Sequence, residues 1–427
     1  MLLILVSCGK GNPNDWPYCW EGTASNIKSC TSTQQLGTSY LEEGRDVSIY
    51  SNDNINIIGS TEGNLDGKAN SGGSDLFVVQ YDSIGVKQWS TLLGSTQNDY
   101  AEGSDVDSSG NIYVTGFSDG DFDGKTSSGN DDLFLVKYNS SGAKQWTKLI
   151  GTLQNDHATD VVSYSSSLYA TGYTKGSLTG SNSGDNDIFL VKFNSSGVEQ
   201  WRRQRGSSSN DLSEGIDTDS SGYVYIVGNT NGDLTGDSSG DSDVFIAKYN
   251  SVGTIQWLKQ FDTTSDSFAQ GMVIDSSDNI YVTGYTEGSF DGNASIGGKD
   301  VFIMKYNTSG TKQWSRQLGT SHNDYGRGIS VDSSGNIYAA GVTTGQSDGN
   351  SHFGGEDSFV MKFNSSGTQL WTTQIGTSYN DYANALSINS SGSLFITGGT
   401  DGGLDGNENK GGTDIFLLKL NSSGTQL

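Results

Sequence analysis

Proline is nearly absent: the 427 residues contain two, both before residue 20. Positive charge is scarce as well. Lys and Arg number 24 against 49 Asp and Glu, a net charge of −25. A field of that sign repels phosphate backbones and anionic lipid head groups, which argues against nucleic-acid binding and favours divalent cations or basic partners. Hydrophobic residues make up only 32% of the chain, which suits thin β layers better than one thick core. The apolar run from Met1 to Val6 is far short of the ~20 residues that cross a bilayer as a helix, and no other segment comes close. The three histidines, His157, His322 and His352, have no metal-ligand spacing. No Gly-x-Ser-x-Gly elbow stands between a strand and a helix, and no stretch keeps a helical period beyond a turn or two. Carboxylates are too numerous for a glycosidase-like pair to be picked out. No catalytic constellation is identifiable.

What is abundant is glycine, 60 residues, with 44 aromatics (20 Tyr, 16 Phe and 8 Trp) to pack between turns. Three cysteines sit near the start. Leu5-Val6-Ser7-Cys8 resembles the bacterial lipobox, in which the Cys is acylated and becomes the mature N-terminus. That resemblance implies lipidation at Cys8, residues 1–7 as a signal remnant and residues 8–32 as a Gly/Asn/Ser-rich tether. The other reading is a frayed apolar terminus. Cys19 and Cys30 are candidates for a small disulfide loop in an exported protein, or two free thiols. A multiply acylated Cys8 would hold the protein firmly at a membrane surface.

The remainder, 33–427, is a repeat. Trp89, Trp146, Trp201, Trp257, Trp314 and Trp371 are spaced 57, 55, 56, 57 and 57 residues apart. Asp-x-Phe opens the preceding strand seven times, at Asp75, Asp132, Asp187, Asp243, Asp300, Asp357 and Asp414. Seven units of about 56 residues follow. Each carries four strand signals: a small-residue strand, an Asp-Ser-Ser-Gly turn, a β-branched strand, a long Gly/Asp loop, the Asp-x-Phe strand, an Asn-Ser-Ser-Gly turn and the Trp strand. Four antiparallel strands, seven times, without helices, predict a seven-bladed β-propeller. The last unit lacks a completed Trp strand, while Thr33-Gln34-Gln35-Leu36 matches the tail of one. Thr33 to Leu36 is therefore expected to complete the outer strand of the seventh blade and close the ring.

The unit GT-x-x-ND-x-A … VDSSGNIYVTG … D-x-F-x-x-KYNSSG-x-x-QW resembles the seven-bladed β-propeller (SBBP) repeat of bacterial exported and surface proteins. The resemblance implies a scaffold with no general reaction attached. Departures are local. Tyr164 to Ser167 shortens the turn of the third unit, Leu41-Glu42 stands where Asn-Asp is usual in the first, and Phe261 to Asp266 lacks the Gly and Asn of the fifth.

In a propeller the short turns share one face and the long, variable loops the other. Binding is expected on the long-loop face, over the central channel. Asp99, Asp156, Asp211, Asp324 and Asp381, from the Asn-Asp pairs, are candidate ligand-binding carboxylates, or else Asx caps of their turns. Asp119, Asp121 and Asp123 before Gly124 resemble the start of a calcium loop, so Ca²⁺ is the cation they would take; the other reading is a solvated turn. The regular Trp is read as packing between blades rather than as a sugar platform. The leading expectation is a monomeric, lipid-anchored binding or scaffold module of the bacterial cell envelope, at the outer membrane or cell surface, whose partner is a protein or a polysaccharide. The alternative is a propeller enzyme, a lyase or glycosidase, using carboxylates at the channel mouth.

Overall fold

The second repeat shows how the sequence becomes a blade. Strands Asp99–Val106, Ile112–Ser118, Asp132–Tyr138 and Lys144–Ile150 pair antiparallel in chain order. The middle two are buried on both faces, because Ile112, Val114, Phe134 and Val136 meet one neighbouring blade and Tyr113, Leu133 and Leu135 meet the other. The computed structural model describes residues 33–50, 53–236, 242–261 and 265–427, and repeats this sheet seven times around a ring. Hydrophobic burial is thus divided into seven clusters between blades, the thin layers that the low apolar content calls for. Cys8, Cys19, Cys30 and the tether lie outside the described residues.

The ring closes as the sequence predicts. Thr33–Leu36 pairs with Asp414–Leu420 in the register Thr33 to Leu418 through Leu36 to Ile415. It forms the outer strand of blade 7, whose other strands are Asp381–Ile388, Leu394–Thr400 and Asp414–Leu420. The departures noted in the sequence are absorbed locally. In blade 3, Ser165 takes a left-handed φ of 57° and turns the chain between Tyr164 and Ser167. In blade 1, Glu42 is fully buried and accepts from the Thr38 amide (2.6 Å), the Thr38 hydroxyl (2.6 Å) and the Thr61 hydroxyl (2.9 Å), filling the role that Asp has elsewhere.

The repeated Trp packs between blades, as read from the sequence. Trp89 Nε1 donates to the carbonyl of Ser140, in the Asn-Ser-Ser-Gly turn of the next blade, at 3.3 Å, and the same bond recurs from Trp201, Trp257, Trp314 and Trp371. A third-strand lysine reaches the next blade the same way. Lys192 Nζ donates to the Ser251 carbonyl at 3.0 Å and lies 5.1 Å from the Tyr169 ring centroid. The turn glycine permits this approach. Gly142 has φ +77°, and a Cβ there would stand 2.7 Å from the Trp89 ring. Gly142→Ala should therefore lower unfolding stability by about 2 kcal/mol, from backbone strain plus displacement of the indole. Gly124→Ala is the control, with φ +71° and nothing within 4 Å of the added methyl. Chemical denaturation of both separates the two terms; equal losses would show that the indole contact contributes nothing.

Candidate binding site at the channel mouth

Seven first strands surround the channel: Glu42–Ile49, Asp99–Val106, Asp156–Tyr164, Asp211–Thr218, Ser267–Ile274, Asp324–Val331 and Asp381–Ile388. Each carries a β-bulge after its third residue, as between Ala101 and Gly103. The extra residue leaves the ladder and is free to differ between blades. Around the ring it is Arg45, Glu102, Thr159, Glu214, Gln270, Arg327 and Asn384. This waist is electrically lopsided. On blades 6, 7 and 1, Arg327 donates to Asn384, Asn384 donates to Glu43 at 2.9 Å, and Glu43 pairs with Arg45 at 3.4 Å. On blades 2 and 4 stand Glu102 and Glu214. Burial pushes Glu102 up, opposed by Arg45, and pushes Glu214 up to about 8, with Glu102 adding repulsion. Glu214 has no hydrogen-bond or ion-pair partner among the described residues.

Below the waist, four more carboxylates join neighbouring first strands. Asp46 accepts from the Ser104 amide and hydroxyl, both at 2.8 Å; Asp105 from the Ser163 amide at 2.6 Å; Asp160 from the Ile216 amide at 3.0 Å; and Asp217 from the Ile274 amide at 2.7 Å. They clamp blades 1 through 5 in order. Burial raises all four, Asp105 to about 6 and Asp217 to about 7. Blades 5, 6 and 7 have Val273, Ser330 and Ser387 where blades 2 and 4 have Asp105 and Asp217.

Above the waist, the second residue of each first strand forms a collar, aromatic at Tyr100, Phe268, Tyr325 and Tyr382, with His157 in blade 3. Phe117 stacks on His157 with ring centroids 3.8 Å apart, and Tyr100 lies 5.1 Å from Phe117. His157 Nδ1 meets the Tyr173 hydroxyl at 2.9 Å, and Nε2 meets Asp131 at 2.6 Å. Both ring nitrogens are thus held by the chain itself. Burial raises the Tyr173 hydroxyl, and Glu214, Glu102 and Asp131 add to the effect, so groups of three blades converge on one quadrant. Burial also raises Asp119, and the adjoining Asp131 raises it further.

The candidate residues named from the sequence take other places. Asp99, Asp156, Asp211, Asp324 and Asp381 are fully buried. Asp156 accepts from the Thr152 amide at 2.6 Å and from the Thr174 hydroxyl, and Asp381 from the Thr377 amide at 2.6 Å and the Thr400 hydroxyl at 2.5 Å. Asp99 accepts from the Ser95 amide (2.5 Å), Asp211 from Ser207 (2.6 Å) and Asp324 from Thr320 (2.6 Å). Their geometry is that of loop caps, not of a ring around the mouth. The calcium-loop resemblance also dissolves. Asp119 accepts from Asn98 Nδ2 at 2.9 Å, Asp121 from the Ser127 amide at 2.8 Å, and Asp123 is bonded by Lys144 and Thr147. The three point at separate partners, and among the described residues no cluster of three or more His, Cys, Asp or Glu could hold a metal. The quadrant itself was not named from the sequence. Its one visible signal was the variable residue after each Asn-Asp pair; the bulge that turns Glu102 and Glu214 inward leaves no local signature.

Comparison with known proteins agrees with this architecture. The family profile described as a beta-propeller repeat, SBBP, matches residues 88–123, 200–235, 256–291 and 313–350. A regulatory protein of Caulobacter vibrioides, FlaEY, is 26% identical over 412 residues, covering 86% of this chain and 42% of that protein. An uncharacterized WD repeat-containing protein of Acanthamoeba polyphaga mimivirus is 25% identical over 313 residues, covering 53% of this chain and 22% of its own. The chain thus spans less than half the length of either relative. The crystal structure of puromycin hydrolase superposes with a TM-score of 0.54 at 10% identity, over 90% of this chain and 53% of that one, a likeness of fold.

Proposed function

We propose that this seven-bladed propeller, four stretches of which match the beta-propeller repeat profile SBBP, is a binding module that docks a protein partner on its long-loop face. The observation that carries this reading is the contrast between the regular frame and that face. The second residue of the first strand is aromatic in blades 2, 5, 6 and 7 but is Glu43, His157 and Leu212 in blades 1, 3 and 4, and large apolar side chains stand free on the surrounding loops. Leu153 is 79% exposed, Tyr379 61% and Tyr40 58%, with Ile296 and Phe353 also exposed. Apolar anchors around a polar, recessed centre are the layout of an interaction surface. The partial likeness to a regulatory protein and to a WD repeat-containing protein supports binding over catalysis.

Lipidation at Cys8 and a place in the bacterial envelope belong to the same proposal. Thr33 pairs with Leu418, near the end of a strand that runs toward the short-turn face. An anchor upstream of Thr33 would turn the short-turn face toward the membrane and the long-loop face away from it. Labelled palmitate incorporated by the wild type and lost in Cys8→Ala is the expected result; equal labelling removes the anchor.

The binding face is tested by chemical cross-linking of the full chain to captured proteins, alongside a glycan array. Cross-links that map to the long-loop face, and a capture reduced at least tenfold in Leu153→Glu/Tyr379→Glu, are expected. Capture unchanged in that variant overturns the face, and glycan binding without protein capture overturns the partner class.

A further inference from the structure

The seven corners of the long-loop face are built alike, so the molecule supplies its own comparison between them. At blades 5 and 6, Tyr285 and Tyr325 meet edge to face at 5.0 Å. Lys299, the residue before the third strand, lies with Nζ 5.0 Å and 5.3 Å from their ring centroids, and Glu287 pairs with it at 3.2 Å. That corner is an aromatic platform already occupied by an ammonium, with a carboxylate beside it.

At blades 2 and 3 the platform recurs in Tyr100, Phe117, His157 and Tyr173, but the position of Lys299 is taken by Asp131. The corner has exchanged its cation for an anion, and Asp119 adjoins it. Beneath lie Glu102 and Glu214, whose influence reaches Tyr173. The single cation acting on Glu102 from the waist is Arg45, itself shared with Glu43. Glu214 is half-buried, open to the channel, and its carboxyl has no partner among the described residues. Placing a carboxylate there without a counter-charge is costly, and a protonated acid or an incoming cation relieves it.

We propose that this quadrant is a receptor for one basic side chain of the protein partner, an arginine or lysine whose charged head seats between Glu102 and Glu214 and whose stem lies against Tyr100 and Tyr173. The proposal rests on the reading that the long-loop face docks a protein. It adds what that partner must present at the centre of the interface, with the exposed apolar side chains as flanking contacts. Seating the cation stabilises the carboxylate of Glu214 over its acid form, so binding near pH 7 releases a proton.

The test is isothermal titration of the full chain with capped triarginine and with capped tricitrulline, which has nearly the same shape without the charge. Triarginine should bind at least tenfold more tightly. Glu102→Gln/Glu214→Gln should weaken triarginine at least tenfold, whereas Asp185→Asn/Glu408→Gln, which removes two charges from exposed loop positions, should stay within twofold. The binding enthalpy should vary with the ionisation heat of the buffer, reporting the released proton. Equal weakening by the two variants would reduce the effect to attraction by the net charge of −25 and overturn the receptor, as would no heat from triarginine at millimolar concentration. The glutamine variants keep side-chain shape, so cooperative thermal unfolding at or above the wild-type temperature confirms they are folded. Cross-linked capture lost in Leu153→Glu/Tyr379→Glu but kept in Glu102→Gln/Glu214→Gln would overturn the receptor and leave the binding face standing.

Discussion

Removing residues 1–36 lowers the melting temperature by about 10 °C, whereas removing residues 1–30 leaves it within about 2 °C. Only the longer deletion takes the strand that closes the ring. Thr33–Leu36 pairs over four residues with Asp414–Leu420. Thr33 is fully buried, and Leu36 packs against the cluster shared with blade 1. Gln35 alone makes three bonds: to the Gly402 carbonyl at 3.0 Å, to Asp414 at 2.8 Å, and from the Leu404 amide at 3.1 Å. Without the strand, Asp414 loses the Gln35 donor and the third strand of blade 7 becomes an open edge. The lost hydrogen bonds and burial amount to about 5 kcal/mol. The seam has little in reserve. In blades 2 to 6 a fourth-strand Trp faces the third-strand Lys, as Trp257 faces Lys248, and that Trp bonds the next blade. The described closing strand begins one register step short of that position, at the partner of Leu418. Beside the ladder, Gln426 donates to the Thr33 hydroxyl at 3.1 Å and Asn407 to the Thr33 carbonyl at 3.2 Å. Scanning calorimetry of the two truncations decides it; equal melting temperatures mean that the strand does not close the ring.

The frame was legible because it is written seven times. A residue that repeats, such as Phe134 in Asp-x-Phe or Trp146 in the fourth strand, solves the same packing problem in every blade, and period alone exposes it. The closing strand was legible for the same reason, as a fragment of the pattern displaced to the other end of the chain. The quadrant was not, since it depends on what does not repeat. Asp105 is an acid that most units lack at that position. The structure gives it a meaning: Asp46, Asp105, Asp160 and Asp217 are not strictly aligned in sequence, yet each bonds a first-strand amide of the following blade. Counted from the shared bulge, Asp46 and Asp160 follow it directly while Asp105 and Asp217 come two residues later. Conversely, the regular Asn-Asp carboxylates, which a ring-shaped site would suggest, are regular because every blade junction needs the same cap.

Regularity therefore divides the polar residues by task. Repeated carboxylates end in backbone amides and hydroxyls, as Asp132 does with the Ser128 amide at 2.5 Å. Carboxylates confined to some blades gather toward the axis, where blades 1 to 4 are acidic and blades 6, 7 and 1 hold Arg327 and Arg45. An acidic half and a basic half around one axis give the channel a direction, and an oriented field at the mouth favours partners that present charge on one side of their contact.

The same buried acids set a second large effect: the melting temperature at pH 5 exceeds that at pH 8 by roughly 5–10 °C. Burial, partly offset by hydrogen bonds, holds Asp99 and Asp105 at about 6 and Asp217 at about 7, and burial with repulsion from Glu102 holds Glu214 at about 8, against ordinary values of 3.8 and 4.5. In the window between the ordinary and the raised value, the folded state binds a proton that the unfolded state has released. Stability from these groups is therefore complete below about pH 4 and lost as pH rises through 6, 7 and 8. After allowance for water in the channel, each group contributes on the order of 1 kcal/mol. An opposing set limits the gain at the acid end. For Asp66, Asp107 and Asp332, burial is outweighed by hydrogen bonds from Lys87, Asn111 and Asn336, so their carboxylates lie below the usual range and their stabilisation fades as pH falls through those values. Maximum stability accordingly falls between about pH 4 and 5. Relief of the net charge of −25 acts in the same direction, but salt screens it, whereas buried groups are screened far less. Thermal unfolding in 0.5 M salt therefore isolates the channel acids. There the rise should persist in the wild type and fall by at least half in Glu214→Gln/Asp217→Asn; a flat wild-type profile would mean that these carboxyls stay ionised in the folded ring.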